Sequence, residues 1–173
     1  MGIVAIKQEI NMSKEIERKF VVTRNLEEVL GKEKLETLDC SEIEQFYVEI
    51  SEEREVRFRK RVTGKEKMFY KTIKSSGGLV REEIETEIVE EEYERNLEKR
   101  VGNKILKRRY VMGRLEIDVY SGKNDFFVVE IEFGDEEEAN LFTLPEKFCP
   151  VTEATSDKRW KNKNIALKGV PSV

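Results

Sequence analysis

Six short segments of the chain carry pairs or triplets of like charge at every second residue, and these are where chemistry could be done. Glu15 and Glu17 precede Lys19 in "EIERKF", and Arg57 and Arg59 stand in "VRFRKR". Glu83, Glu85 and Glu87 alternate in "REEIETE", Lys107 and Arg109 in "LKRR", Glu116 and Asp118 in "LEIDV", and Glu130 and Glu132 in "VEIEF". In an extended chain, residues i and i+2 share a face. One sheet with a solvated face and cross-strand ion pairs would explain any single such strand. Repetition of like-signed pairs is harder to explain that way, because clustered like charges repel unless an opposite charge is held between them. Carboxylates without imidazole or thiolate suit hard divalent cations such as Mg²⁺ or Mn²⁺. Arginine forks and lysines suit phosphate oxygens. A metal together with a polyphosphate would satisfy both sets.

Composition narrows the alternatives. The 173 residues include no histidine, which removes Ser-His-Asp and Cys-His nucleophile systems and imidazole metal ligands. Basic and acidic residues number 32 and 36, for a net charge of −4, so any basic site must be local. Cys40 and Cys149 form no CxxC motif and fit a reducing compartment. No apolar run is long enough to span a bilayer, and the first residues lack a signal-peptide core, so the expected location is cytoplasmic, away from membranes. The length suits one domain, expected over 13–173 behind a flexible leader at 1–12.

The charged pairs need strands to hold them. Period-two patterning predicts eight, at 15–22, 43–50, 54–62, 66–74, 79–88, 103–111, 113–120 and 126–134, with turn signals at 63–65, 75–78 and 121–125 that favour antiparallel hairpins. Helices are expected at 25–38, at 90–100 with Gly102 ending the turn, after Gly134, and in "KRWKNKNIAL" behind Ser156 and Asp157. The expected fold is therefore α+β and mainly antiparallel β. Its eight strands would close into a barrel with a charged, hydrated interior, its apolar exterior covered by helices.

In order along the chain, "EIERKF", "VRFRKR", "KTIKSSGGLVREEIETEI", "ILKRRY", "LEIDVY", "VVEIEF" and "VTEATSDKRWKNKNIAL" together resemble the triphosphate tunnel metalloenzymes, or CYTH superfamily. The likeness is greatest to the compact bacterial members that hydrolyse inorganic tripolyphosphate. It implies a tunnel that binds a triphosphate with Mg²⁺ or Mn²⁺. Glu15, Glu17, Glu130 and Glu132 would hold metal, with Glu85 and Asp118 as further carboxylates. Lys19, Arg57, Arg59, Lys74, Lys107 and Arg109 would bind phosphate, and Lys19, Tyr47 and Glu130 would form the catalytic set that orients the attacking water.

Phe46, Lys71 and Trp160 depart from the family pattern. The segment "SEEREVRFRK" lacks the Trp of vertebrate-type thiamine triphosphatases, and the His-containing signature of class IV adenylate cyclases is missing. A nucleotide-processing enzyme of the same fold and a non-catalytic polyphosphate sensor remain as alternatives. The partner expected is a small-molecule triphosphate, bound by a monomer or a homodimer. Nucleic acid is not expected, because "RFRKR" alternates between faces and forms no contiguous patch.

Overall fold

The computed structural model describes residues 8–11, 16–77 and 80–173, with side chains for 16–75 and 83–173. In chain order the elements are β1 (Gln8–Asn11), β2 (Ile16–Val22), α1 (Leu26–Leu30), α2 (Lys32–Glu36), β3 (Asp39–Ile50), β4 (Arg54–Thr63), β5 (Glu66–Gly77) and β6 (Val80–Ile88). There follow α3 (Glu90–Leu97), β7 (Val101–Met112), β8 (Leu115–Tyr120), β9 (Phe127–Phe133), α4 (Glu136–Leu141), β10 (Thr152–Glu153) and α5 (Asn162–Lys168).

The expected eight-stranded closed barrel is not what forms. The strands make one open antiparallel sheet in the order β1-β6-β5-β4-β3-β7-β8-β9-β2-β10. A ring built from β2 to β9 would require β6 to pair with β2. Instead the free edge of β6 is taken by β1, and that of β2 by the two-residue β10. Both edges that closure needs are already hydrogen-bonded to other partners. The sheet nevertheless curls. Lys74 of β5 acts electrostatically on Glu17 of β2, although six steps of strand order separate the two strands.

Alternation assigns the faces. On one, Phe20, Val22, Leu115, Ile117, Phe127, Val129, Ile131 and Phe133 pack with Leu26, Ala139 and Phe148 under α1 and α4. Farther along it, Phe46, Val56, Phe58 and Phe69 pack around Tyr93 of α3, with Phe46 stacked on Phe58 at 5.5 Å. Each fully buried side chain of this kind contributes about 1.5–3 kcal/mol. Arg18 lies on the same apolar face, where it binds Glu153 and the carbonyls of Ala139 and Phe142, fastening α4 and β10 to β2. Lys71 also points this way, 5.8 Å from the Phe58 ring centroid and paired with Glu92, so it adds no cation to the opposite face.

Two helices differ from expectation. The helix expected at 25–38 divides at Gly31, whose φ of +79° both ends α1 and begins α2. Asn25 caps α1 by accepting from the Glu27 and Glu28 amides. The helix expected at 90–100 stops at Leu97, and Val101 opens β7. Gly102 therefore serves the strand. At its φ of +76°, an added Cβ would lie 2.4 Å from the Ala166 carbonyl oxygen, so only glycine lets α5 approach β7 this closely. No helix among the described residues is long and apolar enough to cross a membrane.

Candidate active site

Strand register places the charged side chains together on the face opposite α1, α3 and α4. Directly opposed residues of neighbouring strands share a face. The pairings Lys19↔Glu130, Glu116↔Glu130, Arg109↔Asp118, Ser41↔Arg109, Gln45↔Arg59, Arg57↔Thr72 and Thr72↔Glu85 thus link eight strands on one side. Lys19, Glu55, Arg57, Lys107, Asp118 and Glu130 are all buried there.

Two clusters form. In the first, Lys107 Nζ lies 2.5 Å from Asp118 Oδ2, with neither side chain reaching solvent. Arg109 binds Asp118 through Nε at 2.6 Å, Glu130 at 2.8 Å, and Glu116. Lys19 Nζ is 2.8 Å from Glu130 and 3.4 Å from Glu17, and donates to the Trp160 carbonyl at 3.1 Å. Burial pushes the Asp118 carboxyl upward, but Lys107 and Arg109 outweigh it and hold Asp118 well below the usual carboxylate range. The same contest leaves Glu130 lowered, through Lys107, Lys19 and Arg109. Glu17 goes the other way. The protein crowded around its carboxyl raises it, Glu130 raises it further, and Lys19 only partly compensates.

In the second cluster, Arg57 donates to Thr72 at 3.1 Å and lies 3.5 Å from Glu85, while Thr72 donates to Glu85 at 2.8 Å. Lys74 pairs with Glu83 at 2.6 Å. Arg59 stands between the clusters and feels Glu85 on one side and Asp118 and Arg109 on the other. Enclosure, together with Arg57 and Arg109, pulls its guanidinium down to about 9, still protonated at neutral pH.

The C-terminal segment seals one end of this face. Trp160 packs against Phe126, and with Ile165 and Ala166 it forms an apolar plug that includes Tyr47, Tyr120 and Val128. Lys163 of α5 binds Glu55 at 2.6 Å. Burial pushes the Tyr47 phenol up, with Arg57 opposing, so Tyr47 keeps its proton and can donate it in a hydrogen bond. The cations at Lys158 and Arg159 lie outside this contact; Arg159 binds Asp157.

Of the residues singled out by sequence, the structure gathers Glu17, Lys19, Lys107, Arg109, Asp118 and Glu130 in one cluster, and Arg57, Lys74 and Glu85 in the other. Arg59 and Tyr47 lie beside them. Glu132 is opposite Glu17 in the β2–β9 register, and Glu15 lies outside the described residues. Charge-based reading missed Gln45, Thr72, Glu55, Lys163 and the Trp160 carbonyl. A groove of about 650 Å³ on the apolar side, lined by Leu26, Leu35, Val62, Leu106 and Val119, is separate from this site; only Lys107 of the buried charges borders it.

The donor chemistry fits a hard cation, since every candidate ligand is a carboxylate oxygen. Among the described residues no three such groups converge as a metal cluster. The reason is visible in the ion pairs: the Lys19 ammonium stands between Glu17 and Glu130, where it plays the part of a cation shared by two carboxylates.

Relatives share this arrangement of sequence and fold. An inorganic triphosphatase from Nitrosomonas europaea is 37% identical over 119 residues, covering 65% of this chain and 76% of the relative. The crystal structure of the hypothetical protein NE1496 superposes with a TM-score of 0.60 at 32% identity, covering 91% of this chain and all of the other. The PH1819 protein from Pyrococcus horikoshii OT3, at 20% identity and a TM-score of 0.51 over 72% of this chain and 82% of that one, shares the fold. The CYTH domain model matches residues 13–159, which include every charged strand of the face just described, and on that match the chain belongs to the CYTH domain family.

Proposed function

We propose that this protein hydrolyses a phosphoanhydride bond of a triphosphate, and that its substrate is inorganic tripolyphosphate, cleaved to pyrophosphate and phosphate. The observation that carries this reading is the shared face of Lys19, Arg57, Arg59, Lys74, Lys107 and Arg109, drawn from four strands of one curled sheet. So many cations in one partly dehydrated place match the extended charge of a polyphosphate, whose transfer chemistry depends on positioning and charge stabilisation. The relationship to the Nitrosomonas inorganic triphosphatase supports the same substrate class.

In this reading the arginines fix the phosphoryl groups by their planar forks, and Lys107 and Arg109 stay fixed by Asp118 before substrate arrives. Glu17, Glu130 and Glu132, with Glu15, would hold a divalent cation. Bound there, Mg²⁺ or Mn²⁺ would neutralise phosphate charge and ease deprotonation of a water. Lys19 and the protonated Tyr47 orient that water and the phosphoryl oxygens, and the ionised Glu130 keeps Lys19 charged and in place.

Phosphate release from tripolyphosphate, ATP and thiamine triphosphate, each with Mg²⁺, Mn²⁺ or EDTA, tests the proposal. Tripolyphosphate should be turned over fastest, and EDTA should stop the reaction. Faster turnover of ATP, or release of pyrophosphate with a cyclic nucleotide, would replace this substrate assignment.

A further inference from the structure

Two buried hydrogen-bond donors at the junction of β3 and β4 lack acceptors, and the Arg59 guanidinium beside them lacks a counter-charge among the described residues. Gln45 is completely buried, its Oε1 accepts from Arg59 Nε at 3.1 Å, and its Nε2 has no partner. Because an arginine Nε only donates, this bond fixes which end of the amide is which. Arg57 Nε is likewise buried without an acceptor. Arg59 has no carboxylate within ion-pair distance among the described residues, whereas Lys19, Arg57, Lys74, Lys107 and Arg109 all do. Among the described residues its sole side-chain hydrogen-bond partner is the neutral Gln45 amide. Buried donors and buried charges are ordinarily satisfied, and a cluster of exceptions calls for a missing acceptor. Both outstanding donors, one of them on a cation, lie beside that unpaired guanidinium, so the acceptor that suits them is an anionic oxygen.

We infer that Gln45 is a substrate-contacting residue, whose amide Nε2 donates to a phosphate oxygen of the triphosphate that Arg57 and Arg59 also hold. The inference rests on the triphosphate reading above and adds to it a neutral residue that charge patterning does not reveal. Its chemical logic is a division of labour within one side chain. Oε1 holds Arg59 by Nε, which leaves the two terminal nitrogens of the guanidinium directed elsewhere, and Nε2 supplies a donor that brings no further positive charge into a crowded basic corner.

The test compares the wild type with Gln45→Met, which keeps length and removes the amide, and Gln45→Glu, which turns the donor into an anion. Binding of tripolyphosphate is measured calorimetrically in EDTA, and KM and kcat by phosphate release with saturating Mg²⁺ or Mn²⁺. Gln45→Met should weaken Kd about tenfold and raise KM by a similar factor, with a smaller fall in kcat, and Gln45→Glu should bind more weakly still. A Gln45→Met protein that melts like the wild type, and whose Kd and KM stay within twofold of it, overturns the inference. Should Gln45→Met not fold, Gln45→Asn, which withdraws the amide by one methylene, must show the same rise in KM at smaller size, and an unchanged KM there also overturns it. Wild-type protein that neither binds nor hydrolyses tripolyphosphate sinks the triphosphate reading, and the Gln45 assignment with it. An active wild type with indifferent Gln45 variants sinks the assignment alone.

Discussion

Lys107 and Asp118 face each other across β7 and β8 at 2.5 Å, with both side chains wholly removed from solvent. A buried pair of this kind is a poor source of net stability but is costly to break, because the survivor remains charged without a partner. Asp118→Asn should therefore lose about 3–5 kcal/mol in urea unfolding. The double replacement Lys107→Met with Asp118→Leu should lose much less than the two single changes added together. Additive losses would show that the pair is not coupled.

Lys19 holds Glu17 and Glu130 together by standing between them. Lys19→Met removes a phosphate donor and leaves two carboxylates facing each other. Phosphate release from tripolyphosphate should fall by about 10²–10³-fold, the usual cost of one lost transition-state contact. Circular dichroism should still report the β-rich fold. Activity within a few-fold of wild type would remove Lys19 from the catalytic set.

Gly102 lies outside the charged clusters yet is expected to influence them. Gly102→Ala combines a positive φ with a Cβ that would collide with the Ala166 carbonyl, forcing α5 off β7. Because α5 carries Lys163, which binds Glu55, and follows Trp160, whose carbonyl receives Lys19, the displacement should raise KM for tripolyphosphate as well as lower the melting temperature. Gly64→Ala is the control. Its φ is also positive, at +60°, but nothing lies within 4 Å of its Cβ, so it should show only the cost of backbone strain.

The outer face offers a pH test. Burial pushes the Glu44 carboxyl up, but bonds from the Tyr93 hydroxyl and Lys104, with Lys60 nearby, bring it below its ordinary 4.5. A carboxyl lowered in the folded state adds stability that is present above the unfolded value and is lost as pH falls through the folded one. The wild type should thus exceed Glu44→Gln by about 1 kcal/mol near pH 6. The difference should shrink toward zero below pH 4. Parallel stability curves from pH 6 to pH 3 would contradict this account of Glu44.

Much of the charged face could be read from the chain, because alternation is a geometric rule: Arg57 and Arg59 must share a side of β4, as must Glu130 and Glu132 of β9. The same rule, continued from Tyr47 back to Gln45 and from Lys74 back to Thr72, reaches the neutral members of the site. Charge patterning does not mark them, because neither side chain is charged. Ring closure was not legible in this way. It depends on which edges find partners, and the segments that occupy those edges, Gln8–Asn11 and the two-residue β10, carry no charge alternation to announce them. Gly31 was a readable break in the helix expected at 25–38, since a positive φ suits glycine and ends a helical run. The role of Gly102 is not legible locally, because its constraint, the approach of α5 to β7, comes from residues more than sixty positions away.

Since β2 and β6 are not joined to each other, the two margins of the sheet can spread apart without breaking a rung of the ladder. In a sealed cylinder, any such widening would tear backbone hydrogen bonds. Besides the C-terminal plug, side-chain attraction across the gap, such as that between Glu17 and Lys74, opposes spreading, and attraction of this kind weakens as ionic strength rises. The open edge should therefore spread more readily at high ionic strength than a sealed cylinder would.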